Sequence, residues 1–265
     1  MVSVIMAVYN IGDMSILENA VDSILNQSEK DIELIICDDH SDDGTFEFAQ
    51  KSAEQDDRIV LLRNDKNMKS GYARNRCIEK SRGDFIAIMD GDDISAPERL
   101  SKQVEFLKRN PEYDFVGVRS LYFKNMIGDY GERCYPFCSV PQKKDFLITL
   151  PFLHPTLMFR KQVFDVVHGY SEEKLVTRSE DTDMLLKMYE AGLKGANIDE
   201  VLYYYRIDAK KRKYRYRFNE TAVKWRGFYR CGMFPQGIPF ALKPLVVGLV
   251  PEKLLDKIKL KYYGS

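Results

Sequence analysis

The amino-acid sequence predicts an α/β protein, with a mostly parallel central sheet flanked by helices and a basic, helical extension at the C-terminal end. Three observations predict it. Nearly continuous apolar runs stand at 2–8, 32–37, 59–62 and 84–89, the pattern of strands buried on both faces. Stretches with helical apolar spacing separate them, so the first third reads βαβαβ. The turns after the second and fourth runs are rich in Asp, and in open sheets of this kind ligands sit beyond the carboxyl ends of the strands.

The elements follow in order. After the first strand, Ile16, Leu17, Ala20, Val21, Ile24 and Leu25 recur at the 3.6-residue period of a helix, with Ser15 as its expected cap. The second strand runs into Asp38-Asp39-His40-Ser41-Asp42-Asp43-Gly44, a polar turn, and a helix begins near Thr45. Residues 71–81 read as a helix with Ala73, Cys77 and Ile78 on one side. The fourth strand ends in Asp90-Gly91-Asp92-Asp93, and a helix is expected from Pro97. Further strands are expected at 115–121, 157–159 and 201–205, with a turn at 127–131. A helix carries Glu180, Asp181, Met184, Leu185, Met188 and Tyr189 and ends near Gly192. There is no internal repeat and no low-complexity segment.

Bulk composition bounds the function. The chain has 265 residues, with 40 basic and 40 acidic side chains. A zero balance argues against a protein coated with positive charge for nucleic acid. Five cysteines at irregular spacing predict free thiols in a reducing compartment, with no zinc site. No secretory signal opens the chain and no apolar run approaches the ~20 residues that span a bilayer. The expected location is the cytoplasm, soluble or peripheral at the inner face of the plasma membrane.

The zero is a cancellation. Residues 200–265 hold 15 Lys and Arg against 5 Asp and Glu, leaving 25 against 35 in residues 1–199. The basic stretch is interleaved with Tyr214, Tyr216, Trp225, Phe228 and Tyr229. It is followed by an apolar run at 238–250 and by alternating Lys253, Leu254, Leu255, Lys257, Ile258, Lys259, Leu260 and Lys261. This composition predicts contact with an anionic membrane surface. The alternative is that 238–250 packs on the preceding domain while the basic side chains are solvated.

Three acidic groups carry chemistry. Asp90, Asp92 and Asp93 crowd one turn and repel each other unless something positive sits among them. Mg²⁺ or Mn²⁺, with phosphates completing the shell, is one answer; a solvated turn that caps the next helix is the other. Asp38 and Asp39 either bind the donor groups of a ligand or hold their own turn. Glu180 and Asp181 either stabilise a helix N-terminus through its dipole or supply a general base for a sugar hydroxyl. The stretch Tyr9-Asn10-Ile11-Gly12 is no Gly-rich phosphate loop, which counts against dinucleotide-binding and P-loop sites.

These motifs stand in one order. Val2-Ser-Val-Ile-Met-Ala-Val-Tyr-Asn10 is followed by Ser23-Ile-Leu-Asn-Gln-Ser28 and by the strand and turn from Glu33 to Thr45. Then come Gly71-Tyr-Ala-Arg-Asn75, Arg82-Gly-Asp-Phe-Ile-Ala-Ile-Met-Asp-Gly-Asp-Asp93, His154-Pro-Thr-Leu-Met-Phe-Arg160 and Ser179-Glu-Asp181. The ordered set, over roughly residues 1–207, resembles family 2 glycosyltransferases of the GT-A fold.

The resemblance implies a Rossmann-like nucleotide-sugar half at 1–93, an acceptor half at 94–207 and an extension at 208–265. It implies inverting transfer of a sugar from a UDP-sugar to a glycan or polyprenyl-diphosphate-linked acceptor in surface polysaccharide synthesis. Asp38 and Asp39 match contacts to the nucleobase and ribose, and Ala7 and Tyr9 match neighbours of the base. Arg74 and Asn75 match a motif beside the nucleotide. Asp90, Gly91 and Asp92 match an Asp-x-Asp motif that binds Mn²⁺ or Mg²⁺. Asp181 matches the catalytic base with Glu180 beside it, and His154 and Asp93 fall on the acceptor side. Ala7 stands where the family usually has Pro, and His40 where it commonly has Gly. A nucleotidyltransferase making a nucleotide sugar is the alternative enzyme, but it would carry a Gly-rich basic loop after the first strand. A non-catalytic sugar-nucleotide binding module would be expected to lose the Asp-x-Asp or the Glu-Asp pair, and both are present.

Overall fold

The computed structural model describes residues 1–129, 133–207 and 213–249. Its first half alternates as expected: β1 (Val2–Val8), α1 (Met14–Leu25), β2 (Ile32–Asp38), α2 (Thr45–Gln55), β3 (Ile59–Arg63), α3 (Ser70–Lys80) and β4 (Phe85–Asp90). The cap of α1 is Asp13, not Ser15: its extended backbone lets the carboxylate accept the Ser15 N–H at 3.0 Å, satisfying an orphan donor of the first turn. A two-residue strand, β5 (Ile94–Ser95), then precedes α4 (Arg99–Arg109).

The second half comprises β6 (Phe115–Phe123), β7 (Met158–Arg160), α5 (Gln162–Val167), α6 (Glu180–Glu190) and β8 (Gly195–Arg206). The expected turn at 127–131 lies partly outside the described residues; within it, Gly128 has a positive φ. β8 is twelve residues long, well beyond the expected 201–205. Its polar middle, Asp199 and Glu200, masks the strand in the sequence, but pairing with β6 carries it through a shift of register near Arg119.

The strands form one sheet in the order β3-β2-β1-β4-β7-β6-β8-β5. β1 pairs in parallel with β2 and β4, β2 with β3, and β6 with β8, while β7 and β5 run antiparallel to their neighbours. Strand alternation sends Val2, Val4, Met6 and Val8 to a core under α1 and α4. It sends Ile5, Ile35, Ile86 and Ile88 to a second core with α3, α5 and α6.

The extension contributes α7 (Arg215–Arg230) and α8 (Ile238–Val247). Phe228, Cys231, Met233 and Ala241 join the second core beside Leu186 and Met188. Gly227 allows the approach: a Cβ there would lie 2.4 Å from the Leu186 Cδ1. Arg226 pairs with the buried Asp183 carboxylate of α6 at 2.6 Å and reaches Glu173 at 3.0 Å. The apolar run from 238 is therefore two-faced. Ala241 and Pro244 are buried, whereas Leu242, Val246 and Leu249 are exposed. No helix among the described residues is long and apolar enough to cross a membrane, and all five cysteines are free. The Lys- and Leu-alternating stretch at 253–261 lies outside the described residues.

Candidate active site

Parallel register gathers the first acidic clusters. Val8 stands opposite Asp38, and Ala7 opposite Asp90, so the carboxyl ends of β1, β2 and β4 share one edge. Asp38 is fully buried. Its Oδ2 accepts the Ser41 N–H at 3.1 Å and pairs with Arg63 at 3.4 Å, while its Oδ1 has no hydrogen-bond partner. An orphaned buried carboxylate oxygen is costly unless a ligand donates to it. Tyr9, half-exposed at 49%, stands beside this edge.

Asp39 is employed differently. Its carboxylate accepts the Asn64 side chain at 2.7 Å and the N–H groups of Met68 and Lys69 at 2.7 and 2.8 Å, so it organises the loop that enters α3. His40 occupies the left-handed region with φ 67, which accounts for the glycine that the family commonly has there. Its Nδ1 lies 3.2 Å from the Asn64 carbonyl oxygen.

The Asp90–Asp93 turn relieves its own repulsion in part. Arg74, from α3, donates to the Asp90 Oδ1 at 2.8 Å. Burial works against the Arg74 cation, but Asp90, Tyr170 and Glu180 offset it and hold the guanidinium above its ordinary pKa. Gly91 is required by packing, since a Cβ would meet the Val8 Cγ1 at 2.8 Å.

Asp93, expected on the acceptor side, is turned inward toward β8. It is buried and accepts the Tyr203 hydroxyl at 2.8 Å and the Arg206 N–H at 2.7 Å. Burial, then Asp92 and Asp90, push its carboxyl well above the usual range. Arg206 also donates from Nε to the Asp92 carbonyl at 2.8 Å. β8 thereby clamps the turn from below. Tyr203 and Arg206 are site residues that sequence reading missed, because only sheet pairing brings them within reach.

The other wall is the N-terminus of α6. Asp181 accepts the Thr182 N–H at 2.7 Å. Glu180 bonds the Ser70 hydroxyl, tying α6 to the start of α3, and its Oε2 is buried without a partner. Between the two walls sits Tyr170. Burial raises its phenol pKa, Arg74 opposes, and Asp90, Glu180 and Asp181 all raise it further. The acids of β4 and of α6 are joined through α3, where Arg74 holds Asp90 and Ser70 holds Glu180, though they lie about 90 residues apart in sequence.

Two more expectations change. His154, expected on the acceptor side, is only 5% exposed, with Nε2 2.8 Å from the Tyr170 hydroxyl, so it buttresses that side chain from within. Burial, then Arg74, pushes its pKa well below 6.5 and keeps the ring neutral. Asn75 turns toward the 169–172 loop, donating to the Tyr170 carbonyl at 2.9 Å and accepting the Tyr170 N–H at 2.8 Å. It positions Tyr170 rather than touching the strand ends.

Among the described residues, no group of three His, Cys, Asp or Glu side chains is placed to hold a metal ion unaided. Asp90 and Asp92 still fit Mg²⁺ or Mn²⁺ by the chemistry of their hard oxygen donors. Mg²⁺ in particular is commonly held by one or two carboxylates plus substrate phosphates.

Comparison with known proteins agrees with this geometry. The family model described as "Glycosyl transferase family 2" matches residues 3–167. The chain is 36% identical over 260 residues to EpsE of Bacillus subtilis (strain 168), a protein named as a glycosyltransferase, covering 97% of this chain and 92% of that one. It is 28% identical over 227 residues to WfaP of Escherichia coli, named as a UDP-Glc:alpha-D-GlcNAc-diphosphoundecaprenol beta-1,3-glucosyltransferase, covering 79% of this chain and 78% of that one. S. aureus TarS 1–349, solved in complex with UDP-GlcNAc, superposes with a TM-score of 0.66 at 18% identity, over 96% of this chain and 82% of that one. With the family model covering well over half of the chain and the fold shared with TarS, the protein belongs to glycosyltransferase family 2 and is a glycosyltransferase of the GT-A fold.

Proposed function

We propose that the enzyme transfers a sugar from a UDP-sugar to a hydroxyl of a glycan or lipid-linked acceptor, with inversion, in surface polysaccharide synthesis. One observation carries the reading: α3 touches both walls, with Arg74 donating to Asp90 at 2.8 Å and Ser70, one turn earlier, bonding Glu180 beside Asp181. A donor on the strand ends and an acceptor on α6 would then meet over one point. TarS holding UDP-GlcNAc and the diphosphoundecaprenol acceptor in the name of WfaP support the two substrate classes.

In this reading the Asp38 Oδ1 accepts a donor group of the base or ribose. Asp181 takes the proton of the acceptor hydroxyl as its oxygen attacks the anomeric carbon. The bond to the diphosphate breaks on the far side, and UDP leaves with the electron pair. The acceptor hydroxyl turns acidic only as this proceeds, so an ordinary carboxylate suffices as base. Arg74 keeps Asp90 in place and adds positive charge beside the leaving group. Asp90 and Asp92 would hold Mn²⁺ or Mg²⁺, which when bound supplies positive charge where the diphosphate's negative charge grows. Two unit charges 4 Å apart interact by about 4 kcal/mol at an effective dielectric of 20, roughly three powers of ten in rate.

We also place the protein at an anionic membrane surface, through the basic residues beyond 206 and the exposed Tyr214, Phe218, Trp225 and Tyr229 of the extension. The test of catalysis is Asp181→Asn. It should cut sugar transfer by about 10²–10⁴, the ordinary share of a general base, while calorimetry finds UDP binding unchanged. Near-normal turnover would remove Asp181 from the base role. Sedimentation with anionic and neutral vesicles tests the membrane, and equal binding to both counts against it.

A further inference from the structure

Resting on the reading of Asp181 as the base, we propose that the C-terminal helices build the acceptor subsite and that it takes an acceptor bearing an anionic group close to its reactive sugar. A cavity of about 300 Å³ opens beside Asp181, at the lower end of the range for small-molecule sites. α6 supplies Asp181 and Thr182, α7 supplies Arg217, Glu220, Lys224 and Phe228, and α8 supplies Lys243. The α7 residues lie three and four apart and so share one face of that helix. These cations lie outside the stretch matched by the family model, which ends at 167.

Its electrostatics select the ligand. Glu220 bridges the two α7 cations, Arg217 at 3.4 Å and Lys224 at 3.0 Å. Lys243 donates to the Ile148 carbonyl at 3.2 Å and has no carboxylate partner among the described residues. Three cations, Arg217, Lys224 and Lys243, face two carboxylates, Glu220 and Asp181, so the lining carries an excess of one positive charge. A neutral glycan would leave that excess without an anion. A phosphoryl, diphosphoryl or carboxylate group on the acceptor would complete it with charge-assisted hydrogen bonds. Phe228 and Pro244 give the sugar an apolar wall, and Leu242 and Val246, on the same helix as Pro244, and Leu249 just past its end are exposed, offering an alkyl chain a way out to solvent.

The experiment uses the full chain, saturated with UDP and Mn²⁺ so that the nucleotide site is filled. Three probes are titrated by calorimetry: an alkyl-capped hexosyl diphosphate, the matching alkyl hexuronide and the matching neutral alkyl hexoside. At least one anionic probe should bind about tenfold tighter than the neutral one, the scale of one charge-assisted contact. Whichever anionic probe binds tighter identifies the source of the charge. Lys224→Gln and Lys243→Gln should each weaken the anionic probe about fivefold to tenfold and leave the neutral probe, UDP and the melting temperature unchanged. Equal binding of all three probes, or both variants binding the anionic probes as the parent does, overturns the proposal. Asp181→Asn separates this from the parent reading: full transfer by that variant would sink the base assignment, whereas probe binding reports on the subsite alone.

Discussion

The two ends of the molecule reach the proposed reaction centre by different means. At the N-terminal end, Asp38, Asp90 and Asp92 are delivered by strands that pair in register, each followed at once by its turn. At the C-terminal end, Asp181, Arg217, Lys224 and Lys243 come from three helices held together by the close approach at Gly227, the Arg226–Asp183 ion pair and the second core. A parallel sheet makes placement a property of short local segments. Helix packing makes it a property of a whole interface. At the first end the site chemistry should therefore rest on the turn residues, while the second should fail through its supports.

Three variants sharpen that contrast, the largest effect first. Asp92→Asn should lower the rate of transfer by about 10²–10³, the usual loss when one electrostatic stabiliser is removed, and should weaken Mn²⁺ binding measured by titration while the melting temperature holds. Unchanged Mn²⁺ affinity would break the assignment of the turn. Arg226→Leu should act in the opposite sense, on stability. It strands the Asp183 carboxylate, which is 5% exposed, and because Arg226 is itself partly solvated the cost should be about 2 kcal/mol, below the range for fully buried pairs. For a chain of this size that lowers the melting temperature by roughly 4–8 °C. Unaltered melting would show that α7 does not depend on this ion pair.

The smallest effect concerns His154, whose ring joins the two walls through Tyr170. Its folded pKa lies well below 6.5, so below that pH the unfolded chain binds a proton that the folded one refuses. Stability should then fall on acidification from about pH 6.5, with His154 contributing up to roughly 1.4 kcal/mol per pH unit. His154→Gln should flatten the profile of denaturation midpoints in that window. Parallel profiles for the two proteins would mean that the ring is not held neutral by the fold.

The legibility of the site follows the same division. Asp38, Asp90 and Asp181 were readable because each follows or opens an element with a plain apolar pattern. For Asp93, His154 and Asn75 the sequence left the direction of the side chain open, for a common reason. Residue type and motif order show that a side chain lies near the centre, but only the fold shows which way it points. Asp93 faces Tyr203 across a strand pairing more than 100 residues apart in sequence, and His154 faces a phenol that no motif marks.

Local chemistry, read from the chain alone, was enough for the parallel strands of the first half and the acidic turns, because alternation, turn residues and apolar runs act over a few neighbours; the family came from the resemblance of the ordered motifs. The clamp of Tyr203 and Arg206 on the Asp90–Asp93 turn, the neutral His154 behind Tyr170 and the cationic cavity between α6, α7 and α8 belong to the tertiary structure. Each depends on burial and on charges brought together from distant segments, and neither the cost of desolvation nor the strength of an ion pair exists until those segments pack.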